Sequence, residues 1–164
     1  MISENRGVEV GQSLSARCAL FEKTGWGKDF AWEEIEEFAA YLMVRRSVEG
    51  TVVFREGDAE AYMCFVVEGR VNIVKESSGV KQVSLAVIEA GKIFGEMSLI
   101  DHWPRSATAV AGDNTLLLAL TKDKFDLLIR ENPQLALKVI QKIAGLMSHR
   151  LRMTSGILVD YLDV

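Results

Sequence analysis

Residues 91 to 110 read Gly91-Lys92-Ile93-Phe94-Gly95-Glu96-Met97-Ser98-Leu99-Ile100-Asp101-His102-Trp103-Pro104-Arg105-Ser106-Ala107-Thr108-Ala109-Val110. The stretch departs from the alternation of the strand-like segments around it, and its glycines, its glutamate and its arginine surround a short apolar turn. That is not ordinary hairpin material. Gly95 followed by Glu96 to Ile100 fits one turn of helix whose open backbone N–H groups face an anion, while Arg105 offers a planar fork of donors matched to phosphate oxygens. Ser106 and Ala107 add a hydroxyl and a backbone donor. Glu96 repels phosphate, so its place beside such a site is to accept hydrogen bonds from a sugar hydroxyl or to steady the arginine. An anion carrying a ribose suits both ends.

Outward from this stretch the pattern is of short strands, expected at 45–48, 51–54, 61–67, 70–76, 82–88, 108–111 and 115–120. Glu49-Gly50, Gly57-Asp58, Glu68-Gly69, Ser77-Ser78-Gly79 and Ala90-Gly91 stand between them, each with a glycine where a tight reversal needs positive φ. Strands at this spacing predict an antiparallel roll or barrel. Helices flank it. The first is expected over 13–22, and a second places Ile35, Phe38, Ala39 and Leu42 on one face, with Glu33, Glu34, Glu36 and Glu37 on the solvated one. Trp26 and Trp32 are expected to pack in this helical layer, and residues 1–12 form a loosely held arm. Downstream, a helix over 122–131 precedes Asn132-Pro133 and one long helix to about 155, proline being well tolerated in a first turn. Along it Val139, Ile140, Ile143, Met147, Leu151 and Leu158 form a stripe that reads as core first and dimer seam second.

With 164 residues, 49% of them hydrophobic, the chain can bury one proper core and is expected to be a single domain, 1–164. Nineteen basic against 23 acidic residues give a net charge of -4, so no overall basic field draws it to nucleic acid or anionic lipid. Cys18 and Cys64 lack a CxxC partner or a nearby histidine and read as reduced cytosolic thiols, with no metal expected. No run approaches the roughly 18 apolar residues of a membrane span, so a soluble, cytoplasmic protein is expected. An enzyme is not expected, because nothing supplies a nucleophile with a base, a metal cluster or a Walker-type loop.

The order Phe94-Gly95-Glu96-Met97-Ser98-Leu99-Ile100, a short loop, then Pro104-Arg105-Ser106-Ala107-Thr108 resembles the phosphate-binding cassette of the cyclic-nucleotide-binding superfamily. The similarity extends to Phe54-Arg55-Glu56-Gly57-Asp58 and Val67-Glu68-Gly69-Arg70-Val71 and covers about residues 14 to 155. It implies a mainly β fold with flanking helices (α+β), a jelly-roll of about eight strands with N-terminal helices and a long C-terminal helix. Residues 14–131 would hold the helices and roll, with the cassette at 94–108, and 132–158 the lid and dimerisation helix. By the same resemblance Glu96 takes the ribose 2′-hydroxyl, Arg105 pairs with the cyclic phosphate, and Ser106 with the Ala107 amide completes the cradle. Phe94, Gly95, Met97 and Ser98 complete the expected binding set, and Gly95 permits close backbone approach.

His149-Arg150-Leu151-Arg152-Met153-Thr154-Ser155 resembles the end of the long helix in the bacterial catabolite-activator branch of this family. The likeness implies that Thr154 bonds the adenine of its own subunit's ligand, that Ser155 bonds that of a partner subunit, and that Arg150 helps organise the pocket. Gly156 follows at once, and glycine costs about 1 kcal/mol relative to alanine inside a helix, so the helix is expected to stop there. His102 is expected to face solvent, and His149 to lie on the helix surface outside the site. The chain ends at Tyr161-Leu162-Asp163-Val164, about where the family's transcription factors begin their DNA-reading domain, so no nucleic-acid contact is expected. The residue after Arg105 is Ser106 where threonine favours cyclic GMP in this family, which makes cyclic AMP the expected ligand, with no other cofactor. The implied role is a homodimeric regulatory module that changes shape on binding to signal to a partner protein. The alternatives are a dimerising interaction module that binds no nucleotide and the sensory half of a transcription regulator.

Overall fold

The computed structural model describes residues 7–76 and 82–162, so the turn expected at Ser77-Ser78-Gly79 lies outside the described residues. Two compact units divide the chain, residues 1–126 and 127–164.

The first unit is a β-roll of nine strands among the described residues, all paired antiparallel. These are β1 (Val8–Val10), β2 (Met43–Ser47), β3 (Val52–Phe54), β4 (Tyr62–Glu68), β5 (Arg70–Glu76), β6 (Gln82–Glu89), β7 (Ile93–Phe94), β8 (Thr108–Ala111) and β9 (Thr115–Thr121). One sheet runs β1-β2-β9-β4-β7 and the other β3-β8-β5-β6. Seven strands fall where alternation and glycine turns predict them. β1 corrects the expectation of a loose arm, since Val8, Glu9 and Val10 pair with Arg46, Arg45 and Val44. β7 is two residues long and leaves no periodic trace in the sequence.

Two apolar layers meet at β4. Tyr62, Cys64 and Val66 join Val53, Phe54, Val71, Phe94, Ala109, Leu117 and Ala119 in the interior of the roll. Phe65 instead meets an aromatic cluster contributed by the N-terminal helices, with its ring edge-on to Phe21 at 5.4 Å and to Trp26 at 5.1 Å. That layer is built by α1 (Leu14–Glu22) and α2 (Trp32–Ala39), with a single 3-10 turn over Gly27–Asp29 between them. α1 starts because the Ser13 hydroxyl accepts from the Ala16 N–H at 3.1 Å, and Glu34 reaches back to the Ala31 N–H at 2.8 Å at the start of α2. Leu42 is buried as expected but lies beyond the helix, where the Leu42 N–H turns back to the Ala39 carbonyl. Trp26 packs as expected, whereas Trp32, at the first turn of α2, is 49% exposed.

A short helix α3 (Glu96–Asp101) stands between β7 and β8, and α4 (Lys122–Glu131) follows β9. α5 (Pro133–Leu162) makes up most of the second unit. Leu135, Ala136, Val139 and Ile143 are its buried residues, all in its first half. The expected stop at Gly156 does not occur, and the helix continues to Leu162.

Candidate functional site

The cassette stretch begins where β7 leaves the roll. Gly95 sits at φ 77° and ψ 8°, left-handed backbone that turns the chain directly from β7 into α3. A Cβ there would come within 2.9 Å of both Arg105 Nη1 and the Tyr62 carbonyl oxygen, so the glycine is required twice over. α3 ends on His102, also left-handed at φ 60°, whose side chain is exposed as expected. The loop that follows exposes Trp103 and Pro104 and then buries Arg105 at 4%.

Arg105 organises the stretch. Its Nη1 donates to the Gly95 carbonyl at 2.9 Å and to the Ser98 hydroxyl at 2.7 Å, and its Nη2 donates to the Tyr62 carbonyl at 2.8 Å. Its Nε is buried with no hydrogen-bond partner. The guanidinium carbon stands 3.9 Å from the centre of the Phe54 ring and 4.5 Å from that of Tyr62, a cation–π arrangement on two aromatic rings. Burial pulls the group below its ordinary value, and Tyr62, Cys64, Glu60 and Asp58 act in the opposite direction. A guanidinium so basic stays charged through this perturbation.

The Phe54-Arg55-Glu56-Gly57-Asp58 segment acquires a job that the sequence reading left unassigned. The Gly57 N–H donates to the Arg105 carbonyl at 2.8 Å and the Arg105 N–H to the Asp58 carbonyl at 2.9 Å. The Glu56 N–H donates to the Thr108 hydroxyl at 2.9 Å. Lys75 bridges Glu56, at 3.2 Å, and the Ser106 carbonyl, at 3.0 Å. The end of the cassette is therefore tied to the β3–β4 turn and to β5. Ser106 is exposed, and Ala107 is buried at 8%.

Of the other expected residues, Phe94 and Ser98 are buried, Met97 is 45% exposed, and Glu96 is 1% exposed at the first position of α3. The hydrogen bonds of Arg105 go to Gly95, Ser98 and Tyr62, so steadying the arginine falls to these three rather than to Glu96. A cleft of about 440 Å³ lined by Val8, Arg46, Ser47, Glu68, Asn114 and Thr115 lies at the β1–β2 end of the roll and contains no cassette residue.

A family model described as the cyclic nucleotide-binding domain matches residues 44–132, which contain the roll from β2 onward together with the whole cassette. The chain belongs to the cyclic nucleotide-binding domain family. The Cyclic AMP receptor protein of Thermus thermophilus is 36% identical over 120 residues, covering 73% of this chain and 54% of that protein. A cyclic nucleotide-binding domain from Methylobacillus flagellatus superposes with a TM-score of 0.77 at 29% identity, over 89% of this chain and 84% of that one. The catabolite activator protein structure from Thermus thermophilus gives 0.73 at 33% identity, over 85% and 63%. The chain spans 54% or less of the length of the first curated relatives it matches. No helix among the described residues is long and apolar enough to cross a membrane.

Arg150, Thr154 and Ser155 lie on α5, in the second unit. The Thr154 hydroxyl donates to the Arg150 carbonyl at 3.0 Å and the Ser155 hydroxyl to the Leu151 carbonyl at 2.9 Å, so each bonds back along its own helix. Two residues central to the arginine's setting, Phe54 and Tyr62, are absent from the sequence-derived set. Phe54 lies within the segment 54–58, which resembles the family. Tyr62 carried no signal beyond that of a buried strand.

Proposed function

We propose that the chain is a regulatory module that binds a cyclic nucleotide, with Arg105 pairing with the cyclic phosphate and Glu96 taking the ribose 2′-hydroxyl. Ser98, Ser106 and the Ala107 amide complete the phosphate side, and Phe94, Gly95 and Met97 shape it. One observation carries the reading. Arg105 is buried, yet its hydrogen bonds run to two carbonyls and one hydroxyl, with no carboxylate among them. A buried cation with no anion bonded directly to it is costly, and an anionic ligand would supply one. Cyclic AMP is the favoured ligand because Ser106 follows the arginine, and binding is coupled to a change of shape that a partner protein reads. Arg150, Thr154 and Ser155 are the base contacts in this proposal. Leu151, Ile157 and Leu158, each more than half exposed on α5, support pairing of two copies through this helix.

A second reading, a module that works without nucleotide, is favoured by the fact that the arginine fork is already committed to protein acceptors. Thermal melts separate the two, because a ligand that binds only the folded state raises apparent stability. Wild-type protein should be stabilised by cyclic AMP more than by cyclic GMP. Arg105→Ala should stay folded and lose about 2–5 kcal/mol of binding, the range for truncating one member of a buried charge pair. No shift with either nucleotide, in folded protein free of copurified ligand, would favour the second reading.

A further inference from the structure

Every group that grips the Arg105 guanidinium is neutral. Two carbonyls and a hydroxyl accept its hydrogen bonds, and two aromatic rings offer it their π systems. Asp58 and Glu60 favour its charged form from beyond hydrogen-bonding reach. A carboxylate in the place of the rings would hold the cation at least as firmly. It would also cancel the charge that an anion needs and set a like charge beside the phosphate's seat. Aromatic rings fix a cation through their quadrupole and leave its full charge available.

The rings are themselves held. The Tyr62 hydroxyl donates to the Val53 carbonyl at 2.7 Å, one residue before Phe54. The Phe54 ring stands edge-on to Tyr62 at 6.0 Å and is tilted against Phe94 at 5.8 Å. Gly57 and Asp58 pair with the arginine's own backbone. A side chain as long as arginine loses much rotamer freedom when it is fixed, and here that freedom is lost on folding rather than on binding. We propose that Phe54 and Tyr62 are positioning residues that set the anion affinity of the cassette, by keeping Arg105 oriented while leaving its directly bonded countercharge to the ligand. This rests on the reading of residues 91–110 as a phosphate site.

The test changes ring electronics and leaves ring shape alone. Phe54 is the cleaner position, because Tyr62 also carries the Arg45 guanidinium at 4.7 Å and the bond to Val53. Phe54 is replaced by its mono-, di- and trifluorinated phenylalanine analogues, which weaken the ring's attraction for a cation step by step. Calorimetry then follows cyclic AMP, with adenosine as the phosphate-free control. Cyclic AMP affinity should fall with each fluorine, reaching about three- to tenfold at the third, while adenosine is unaffected. A constant or rising affinity for cyclic AMP across the series overturns the proposal, as does an equal loss for adenosine. A ligand-free arm reads the arginine directly by NMR. Rotation of the Arg105 guanidinium should be slow in the wild type and faster with each fluorine, and an unchanged rate overturns the platform. Wild-type protein that ignores cyclic AMP would count against the nucleotide reading, and the NMR arm would then decide the platform by itself.

Discussion

β4 and β6 are both apolar strands of similar length, and the roll treats them in opposite ways. Along Tyr62-Met63-Cys64-Phe65-Val66-Val67 every side chain is buried, whereas along Gln82-Val83-Ser84-Leu85-Ala86-Val87-Ile88 only Ile88 is. Place in the sheet accounts for the contrast. β4 lies between β9 and β7, with core on one face and the aromatic cluster on the other, while β6 ends its sheet and has β5 as its one neighbour among the described strands. Alternation in β6 would bury Val83, Leu85 and Val87, yet these are about half exposed, and a register irregularity beside Ile73 and Val74 interrupts the ladder. The strand that carries Tyr62 to the arginine is thus buried on both faces and paired on both edges.

The largest expected effect tests that burial. Phe65→Ala should cost about 3–5 kcal/mol in urea unfolding, the range for emptying a well-packed aromatic site. A cost below about 1 kcal/mol would show that the helical layer collapses onto β4 and that its second face is not specifically packed.

The next effect is read in pH. Burial pushes the Cys64 thiol up to about 12 and the Tyr62 hydroxyl to about 12. The unfolded chain releases the thiol proton near its ordinary value of 9.0. Between those limits the unfolded state binds fewer protons than the folded one, so stability present below pH 9 should drain away as pH rises, by about 1.4 kcal/mol per unit for one such group. Cys64→Ala should remove that share, which reaches about 2 kcal/mol by pH 10.5. Parallel pH profiles for wild type and variant would show that β4 opens enough to ionise the thiol in place.

Smaller again is Tyr62→Phe, which keeps the ring over Arg105 and deletes the hydroxyl bonded to the Val53 carbonyl. Leaving that buried carbonyl without its donor should cost about 1 kcal/mol of stability, measured by urea titration. A null result would mean that β3 and β4 are registered by packing alone.

The same contrast explains what could be read in advance. Strands β2 to β6, β8 and β9 were legible because glycine turns and short-period patterning are local features. β1 was not, since three residues become a strand only by finding β2. Gly156 misled because its cost of about 1 kcal/mol is spread over a helix of 30 residues. In the cassette, Gly95, Ser98 and Arg105, which hydrogen bonds join, were legible as parts of one stretch of sequence. Tyr62 was not, because its carbonyl meets the arginine across 43 positions of chain, a juxtaposition made by the sheet and invisible to spacing.

β6 supplies the smallest effect and the sharpest check. Leu85 is 56% exposed on an edge strand, so Leu85→Lys should shift unfolding free energy by less than about 0.5 kcal/mol. A lysine on an edge should also discourage strand-to-strand association, so any self-association seen by light scattering should fall in the variant. A loss above about 1 kcal/mol would mean that something covers this face in solution. The exposure of β6 would then belong to the isolated chain, and its difference from β4 would be one of partners rather than of place in the sheet.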